Sequence, residues 1–285
     1  MKGIFPLRTL GECIRLRSEL IPGRSLVVIG GGFVGLEVAS TAAQLGLSVT
    51  VVEPQAVPLE RLLGRDIGGR VAALHERNGV RILAPVSARR VLGRGKVEAV
   101  ELADGEVVTA HIVVVAIGSV PNSDWLAMSA IDVTDGVLCD EYCRVVGVRD
   151  VFAVGDVARR RRPQSDDLQR IEHWTNAVAH ADVAAKAILG LGQGPNYAAL
   201  PYFWSDQFDV KLQFVGTFNP RQVMTIDGSS AQGRNRSITV FGDGRRVVGA
   251  LAWNWPAAIG RTRRLLERST VTMEVVEEAF ASPWK

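Results

Sequence analysis

Cysteine is scarce: Cys13, Cys139 and Cys143 are all there is in 285 residues. Their number is odd and no pair has C-x-x-C or metal-ligand spacing, so neither a disulfide framework nor a metal site is readable. They are expected to be small, mostly buried packing residues in a reducing compartment. Long apolar runs are also missing. The longest, around residues 112–117, falls far short of the roughly 20 residues a membrane helix needs, and the opening Met-Lys-Gly-Ile-Phe-Pro has no apolar h-region. Charge of one sign is nearly absent: 33 Lys and Arg against 30 Asp and Glu leave +3, too little to point to nucleic acid. No Tyr-x-x-x-Lys starts at Tyr142, Tyr197 or Tyr202, and none of the four histidines shows a relay partner. A flavin-free alcohol or carbonyl dehydrogenase is therefore ranked last. With 47% hydrophobic and 22% charged residues, the chain reads as a soluble, cytoplasmic protein long enough for two or three domains.

The most informative stretch is Leu-Val-Val-Ile-Gly-Gly-Gly-Phe-Val-Gly at 26–35, an apolar strand entering a G-x-G-x-x-G turn. Gly30 permits the tight turn, Gly32 lets the backbone approach a pyrophosphate, and Gly35 lets the next helix pack close to the sheet. The phosphates then meet free N–H groups at a helix N-terminus. The helix over 33–45 is expected to bury Val34, Val38, Ala42 and Leu45 and to stop at Gly46. A second strand, 48–52, delivers Glu53 to ribose hydroxyls, where its charge repels a 2′-phosphate and favours NADH over NADPH.

Further on, a helix over 66–77 is expected to start at an Asp66 N-cap, turn Ile67, Val71 and Leu74 inward, and end at Gly79. A strand at 80–83 follows. Segments 96–102 and 106–109 flank an Asp104-Gly105 turn and form part of a three-stranded meander. The run 112–118 is a fully buried parallel strand. Beyond Ser119 the pattern changes to a loop, a short strand, a second strand at 151–156 and a basic loop, Arg159 to Arg162. A helix at about 172–189 then turns Trp174, Ala177, Val178, Ala181, Ala185 and Ile188 inward. From Pro201, strands at 211–215, 237–241 and 246–253 and a helix at 256–268 make a small α+β unit.

These motifs resemble FAD-dependent, NADH-oxidising ferredoxin reductases of oxygenase systems, within the pyridine nucleotide-disulfide oxidoreductase superfamily. The blocks are VVIGGGFVGLEVA (27–39), VVVAIGSVPN (113–122), VFAVGDV (151–157), RIEHWTNAV (170–178) and PYFWSDQFDVKLQFVG (201–216). The last two are specific to the ferredoxin- and rubredoxin-reductase branch. The implied fold is α/β: a Rossmann-like NAD domain (1–118) inserted in a partial FAD domain (119–196), plus a C-terminal α+β reductase domain (197–285). The implied cofactors are NADH and FAD, and the implied partner is a ferredoxin or rubredoxin-type electron acceptor. Gly30, Gly32 and Gly35, with Phe33 and Val34 between them, hold the NADH pyrophosphate, and Glu53 holds the ribose. Glu37 lies near the nicotinamide, and Asp156, after Gly155, binds the ribityl chain of FAD. Gly118 and the helix start at Glu172, His173 and Trp174 complete the set. Trp174 lies beside the reacting rings in this scheme, or is simply a core aromatic. Glu37 and Trp174 are the expected catalytic residues, while His173 is structural rather than catalytic.

The disulfide branch of the superfamily relays electrons through a cysteine pair that this chain lacks, so a disulfide reductase is disfavoured. Only 29 residues precede Gly30. The first FAD-binding βαβ unit is thus expected to be absent, leaving a chain that binds NADH but holds FAD weakly or not at all. The alternative is a half-assembled NADH-binding module, working as a homodimer or with a partner chain that completes the FAD domain. Arg159 to Arg162, joined by Arg261, Arg263 and Arg264, offer either a docking face for an acidic ferredoxin or a solvated loop.

Overall fold

The computed structural model describes residues 1–161, 168–191, 200–218, 221–228, 235–267 and 271–281. The chain separates into two compact units. One is Met1–Gly118 with Ser205–Val210, the other Ser119–Trp204 with Lys211–Lys285.

The first unit begins with β1 (Ile4–Pro6) and α1 (Leu10–Glu19). Thr9 starts α1 through a capping box. Its side chain accepts the Glu12 N–H at 3.3 Å, and the Glu12 carboxylate accepts the Thr9 N–H at 2.9 Å. The Thr-x-x-Glu signature was there to be read, although the sequence analysis places no helix here. Then come β2 (Ser25–Ile29), α2 (Phe33–Gln44), β3 (Ser48–Val52), α3 (Glu60–Arg77) and β4 (Arg81–Leu83). An antiparallel sheet of β5 (Ala88–Leu92), β6 (Ala99–Leu102) and β7 (Val107–Thr109) precedes β8 (Ile112–Val115). The main sheet runs β1-β8-β2-β3-β4, with every pair parallel. Its central strands are apolar on both faces because both are covered. Leu26, Val28, Val49, Val51, Ile112 and Val114 join α2 in one core, while Val27, Val52 and Val113 pack with Val97, Val100 and Leu102 in the other.

Two helices depart from expectation. α2 buries Leu36, Val38, Ala39, Ser40 and Ala42, but leaves Val34 and Leu45 about half exposed. The buried face is set by contact with the sheet, so Gly35 and Ala39 lie against it and Val34 turns away. α3 starts at Glu60, not at Asp66. Its residues continue through a kink at Gly64, whose φ of 81° no ordinary side chain adopts without strain. Asp66 is therefore inside the helix and exposed, while Ile67, Val71 and Leu74 are buried as expected.

The second unit opens with β9 (Val137–Cys139), β10 (Ala158–Arg161) and β11 (Leu168–Arg170), a three-stranded mixed sheet. The segment 151–156 is not a strand. Phe152 forms one isolated bridge with Arg144, and Gly155–Val157 make a 3₁₀ turn. The basic run is not a loop either, because Ala158–Arg161 is β10; Arg162 lies outside the described residues, as does the expected 196/197 boundary. Arg159 is ion-paired with Asp132 at 2.7 Å. Arg160 is buried and donates to the backbone carbonyls of Asp140, at 3.0 Å, and Glu141. Those two arginines are structural, which removes them from any docking face.

α4 (Trp174–Ile188) turns the opposite way from the expected one. Asn176, His180 and Ala184 are its buried residues, whereas Trp174, Val178, Ala181, Ala185 and Ile188 are exposed. Polar Asn176 and His180 face inward because each has a backbone group to satisfy. Asn176 Nδ2 donates to the Ile171 carbonyl at 2.9 Å, and His180 Nδ1 accepts the Gly155 N–H at 3.3 Å.

Five strands follow: β12 (Tyr202–Gln207), β13 (Val210–Gly216), β14 (Gln222–Asp227), β15 (Ser237–Gly242) and β16 (Val247–Trp253). They form a sheet in the order β12-β13-β16-β15-β14. α5 (Pro256–Leu266) starts at Pro256 as expected, since proline suits a first turn that has no partner for its N–H. The expected end at Arg268 lies outside the described residues. α6 (Met273–Ala281) is an addition, as are β12 and β14. Trp255, Ile259, Val276 and the inner faces of β15 and β16 share one core. Cys139 and Cys143 are buried and Cys13 is exposed, against the expectation for it.

Candidate functional site

The glycine turn joins β2 to α2. Gly30 has φ 107°, and a Cβ there would lie 2.4 Å from the Ala116 carbonyl oxygen. A Cβ on Gly35 would come within 2.2 Å of the Gly30 carbonyl oxygen. Gly32 is different, because no atom lies within 4 Å of where its Cβ would be. Gly32 is also the N-cap of α2 and supplies no side-chain hydrogen bond to it. Two glycines thus let β2, α2 and β8 approach one another, and the third leaves open space before the first N–H groups of α2. An anionic pyrophosphate fits such a cradle.

Glu53 follows β3 and is buried. One carboxylate oxygen accepts the Gly31 N–H at 2.7 Å and the other the Gln55 N–H at 2.7 Å. These bonds fix its rotamer beside the glycine turn and leave each oxygen a further lone pair for a hydroxyl donor. Phe33 is partly buried, Val34 exposed. Gly118, with φ 113° and open space around it, ends the unit.

Glu37 lies one turn into α2 and is half-buried. Its Oε1 accepts the Ser205 hydroxyl at 2.5 Å. Burial pushes its carboxyl above the ordinary range, with Asp206 adding in the same direction and the Ser205 hydrogen bond opposing both. Ser205 accepts in turn from Gln207 Nε2 at 3.0 Å, and Gln207 Oε1 lies 3.0 Å from His75 Nε2. Ser205, Gln207 and His75 are not among the site residues expected from the sequence. The one legible signal was the polar Ser-Asp-Gln run inside an otherwise aromatic and apolar block. His75 and His111 both have partners that the sequence did not reveal, the latter taking the Ser25 N–H and facing the Ser25 hydroxyl.

The remaining expected residues lie in the second unit. Gly155 has φ 74° and abuts Ala177, 3.3 Å from where its Cβ would be. His180 holds the turn by its Nδ1, which must be unprotonated to accept. Burial, with Arg160 beside it, lowers the His180 pKa to about 4, so it is neutral near pH 7. Arg170 braces the same region: its guanidinium bonds the Asp156 carbonyl at 3.1 Å, Asp135 at 3.0 Å, and the Glu172 carboxylate. The Ser119 hydroxyl donates to that Glu172 carboxylate at 2.5 Å. His173, the N-cap of α4, makes no side-chain cap, and its Nδ1 is buried without a hydrogen-bond partner. Burial keeps its pKa low although Asp156 and Glu172 pull it upward. Trp174 is 76% exposed, so the reading of it as a core aromatic is wrong.

Residues 1–181 match the family described as pyridine nucleotide-disulphide oxidoreductase. The chain belongs to that family. Residues 202–281 match the family described as reductase C-terminal. Among the curated proteins similar to this chain is the ferredoxin–NAD(+) reductase component of the anthranilate 1,2-dioxygenase system of Burkholderia cepacia. The two are 39% identical across 91% of this chain and 63% of the relative. Rhodocoxin reductase of Rhodococcus erythropolis is 35% identical across 93% of this chain and 61% of its own length. The chain thus spans about three fifths of the length of these two relatives. A chain in the crystal structure of the covalent putidaredoxin reductase–putidaredoxin complex superimposes with a TM-score of 0.88 at 29% identity. That match covers 96% of this chain and 66% of the solved chain. No helix among the described residues is long and apolar enough to cross a membrane.

Proposed function

We propose that this protein passes electrons from NADH, through FAD, to a ferredoxin- or rubredoxin-type iron–sulfur protein of an oxygenase system. The observation that carries the NADH part is the open space at Gly32 beside a Glu53 carboxylate locked by two backbone N–H groups. The acceptor class is supported by the names of the relatives and by the reductase C-terminal match. The three cysteines, which form no disulfide, suit the cytoplasm.

In this reading Gly30, Gly32 and Gly35, with Phe33 and Val34, bind the pyrophosphate against the α2 N-terminus, and Glu53 binds the adenosine ribose. Glu37 orients the nicotinamide end. Gly155 and Asp156 form the ribityl contact, together with Gly118 and the α4 start at Glu172, His173 and Trp174. The α4 N-terminus, uncapped by a side chain, would offer N–H groups and partial positive charge to a bound flavin. Trp174 would offer its exposed indole to the same flavin. FAD, when bound, supplies the conversion of a two-electron hydride donor into one-electron steps. The protein's own work is to position the two rings and set the charge around them.

The test is anaerobic mixing of the FAD-loaded protein with NADH and a [2Fe–2S] ferredoxin, following flavin absorbance and ferredoxin reduction. Flavin bleaching followed by ferredoxin reduction is expected. NADH binding without bleaching would overturn the reading. A variant adds a sharper result. Glu53→Ala removes the ribose acceptor and frees the Gly31 and Gln55 N–H groups, so NADH affinity should fall by about 10- to 100-fold, as for loss of one charged hydrogen bond. NADPH affinity should fall much less, because the repelling carboxylate is gone too. An unchanged NADH to NADPH ratio in fluorescence titrations would remove Glu53 from the ribose site.

A further inference from the structure

The geometry points to Ser205, Gln207 and His75 as positioning residues that fix Glu37 through a buried, one-directional hydrogen-bond chain. Its direction follows from donor inventories. Gln207 Nε2 donates to Ser205 Oγ at 3.0 Å, so the single Ser205 hydroxyl hydrogen is left for Glu37 Oε1 at 2.5 Å. The other end of the Gln207 amide is an oxygen, which only accepts. His75 Nε2, 3.0 Å away, must therefore carry a hydrogen, and the neutral ring keeps its Nδ1 bare. That atom is buried without a hydrogen-bond partner, and burial holds the His75 pKa below its ordinary value. The neutral Nε2–H form satisfies both conditions.

His75 and Gln207 are 0% exposed and Ser205 1% exposed. Three polar side chains so deeply buried are costly unless each bond is made, and a network satisfied throughout fixes one arrangement. Here the arrangement is clamped at several points. Phe208 packs edge-on to the His75 ring at 5.1 Å, and its N–H donates to Ser40 Oγ at 2.7 Å. Ser40 and Glu37 are three residues apart on α2, so one face of the helix takes both bonds from the 205–208 segment. Asp206, between Ser205 and Gln207, is the further ionisable group acting on Glu37, and it disfavours the anion. The chain opposes it, because the Ser205 hydroxyl stabilises the carboxylate. Ser205→Ala should leave Glu37 protonated to higher pH. His75→Leu should do the same from a distance. Without the His75 donor the Gln207 amide is no longer held, so its bond to Ser205 Oγ weakens and the Ser205 hydroxyl is less firmly aimed at Glu37. His75→Gln keeps an N–H donor and should restore the original state.

The experiment is a ¹³C NMR titration of the Glu37 carboxyl in the full chain. Ser205→Ala and His75→Leu should raise the midpoint by about half to one pH unit, equivalent to one ordinary hydrogen bond, and His75→Gln should leave it near wild type. An unmoved midpoint in the conservative Ser205→Ala variant would overturn the proposal. A midpoint that responds to Ser205→Ala but to neither Gln207→Met nor His75→Leu, both checked for folding by circular dichroism, would overturn the role of the last two residues. That this chain serves the nicotinamide rests on the function proposed above, and it is read separately from the pH dependence of NADH affinity. Titration shifts without NADH binding would sink the function and leave the chain standing; NADH binding with unmoved titrations would do the reverse.

Discussion

Gly35→Ala is expected to destabilise the first unit by about 3 kcal/mol or more, while Gly32→Ala leaves its stability unchanged and weakens NADH binding at least about tenfold. The two substitutions add the same methyl group three residues apart. At Gly35 the new carbon would sit 2.2 Å from the Gly30 carbonyl oxygen, 3.1 Å from Val28 and 3.3 Å from Ala116. The first of these is backbone and cannot step aside, so either α2 lifts from β2 and β8 or the glycine turn reopens, at an overpacking cost in the upper part of the usual range. For a unit of this size that is a fall of roughly 6–12 °C in melting temperature. At Gly32 the φ of −76° suits any residue, and the methyl meets nothing. The fold should not notice it. A pyrophosphate would, because the space in front of the α2 N–H groups is then filled. Calorimetry and NADH titration of both variants check the pair, and equal melting temperatures would show that the close approach at Gly35 is not needed.

Arg160→Glu should cost about 3–5 kcal/mol, the usual penalty for breaking a buried charged contact. The guanidinium is 8% exposed and donates to the carbonyls of Asp140 and Glu141. A carboxylate in its place would face two carbonyl oxygens with no donor of its own. Loss of the Arg160 charge would also push the Cys139 and Cys143 thiols further up. Burial already raises the Cys139 pKa to about 11, with Arg160 opposing that rise. Arg161→Glu, next along β10 but exposed, is the comparison and should cost clearly less than Arg160→Glu. Denaturant melts of the two variants distinguish a buried arginine from an exposed one. Similar melting midpoints would return Arg160 to the surface.

These two cases mark where sequence reasoning held and where it stopped. The strand, glycine turn, helix and spaced acid at 26–53 are local. The glycines and the acid that define the motif lie within about 25 residues, although Ala116 after β8 also presses on Gly30 and Gly35. β2, β3 and β8 were legible for a similar reason, since a strand covered on both faces needs an unbroken apolar run. The direction of α4 was not legible. Its apolar residues form a stripe, Trp174, Val178, Ala181, Ala185 and Ile188, that reads as a core face, yet Asn176, His180 and Ala184 are the buried ones. Periodicity says that a helix has two faces; it does not say which one meets a backbone carbonyl or N–H that needs a partner. The same limit applied to Arg160, whose run of arginines looked like a solvated loop until its strand partners were known.

By itself, then, the sequence determined the nucleotide turn, its acid, the α/β class and the family resemblance, because each rests on residue types at short, fixed spacings. Tertiary structure alone decided which side of α2 and α4 is buried, that Arg160 is an internal strut, and that Ser205, Gln207 and His75 converge on Glu37. Those contacts join residues up to 168 positions apart. A hydrogen bond between them depends on residues 205–210 packing within the first unit, and no local pattern carries that information.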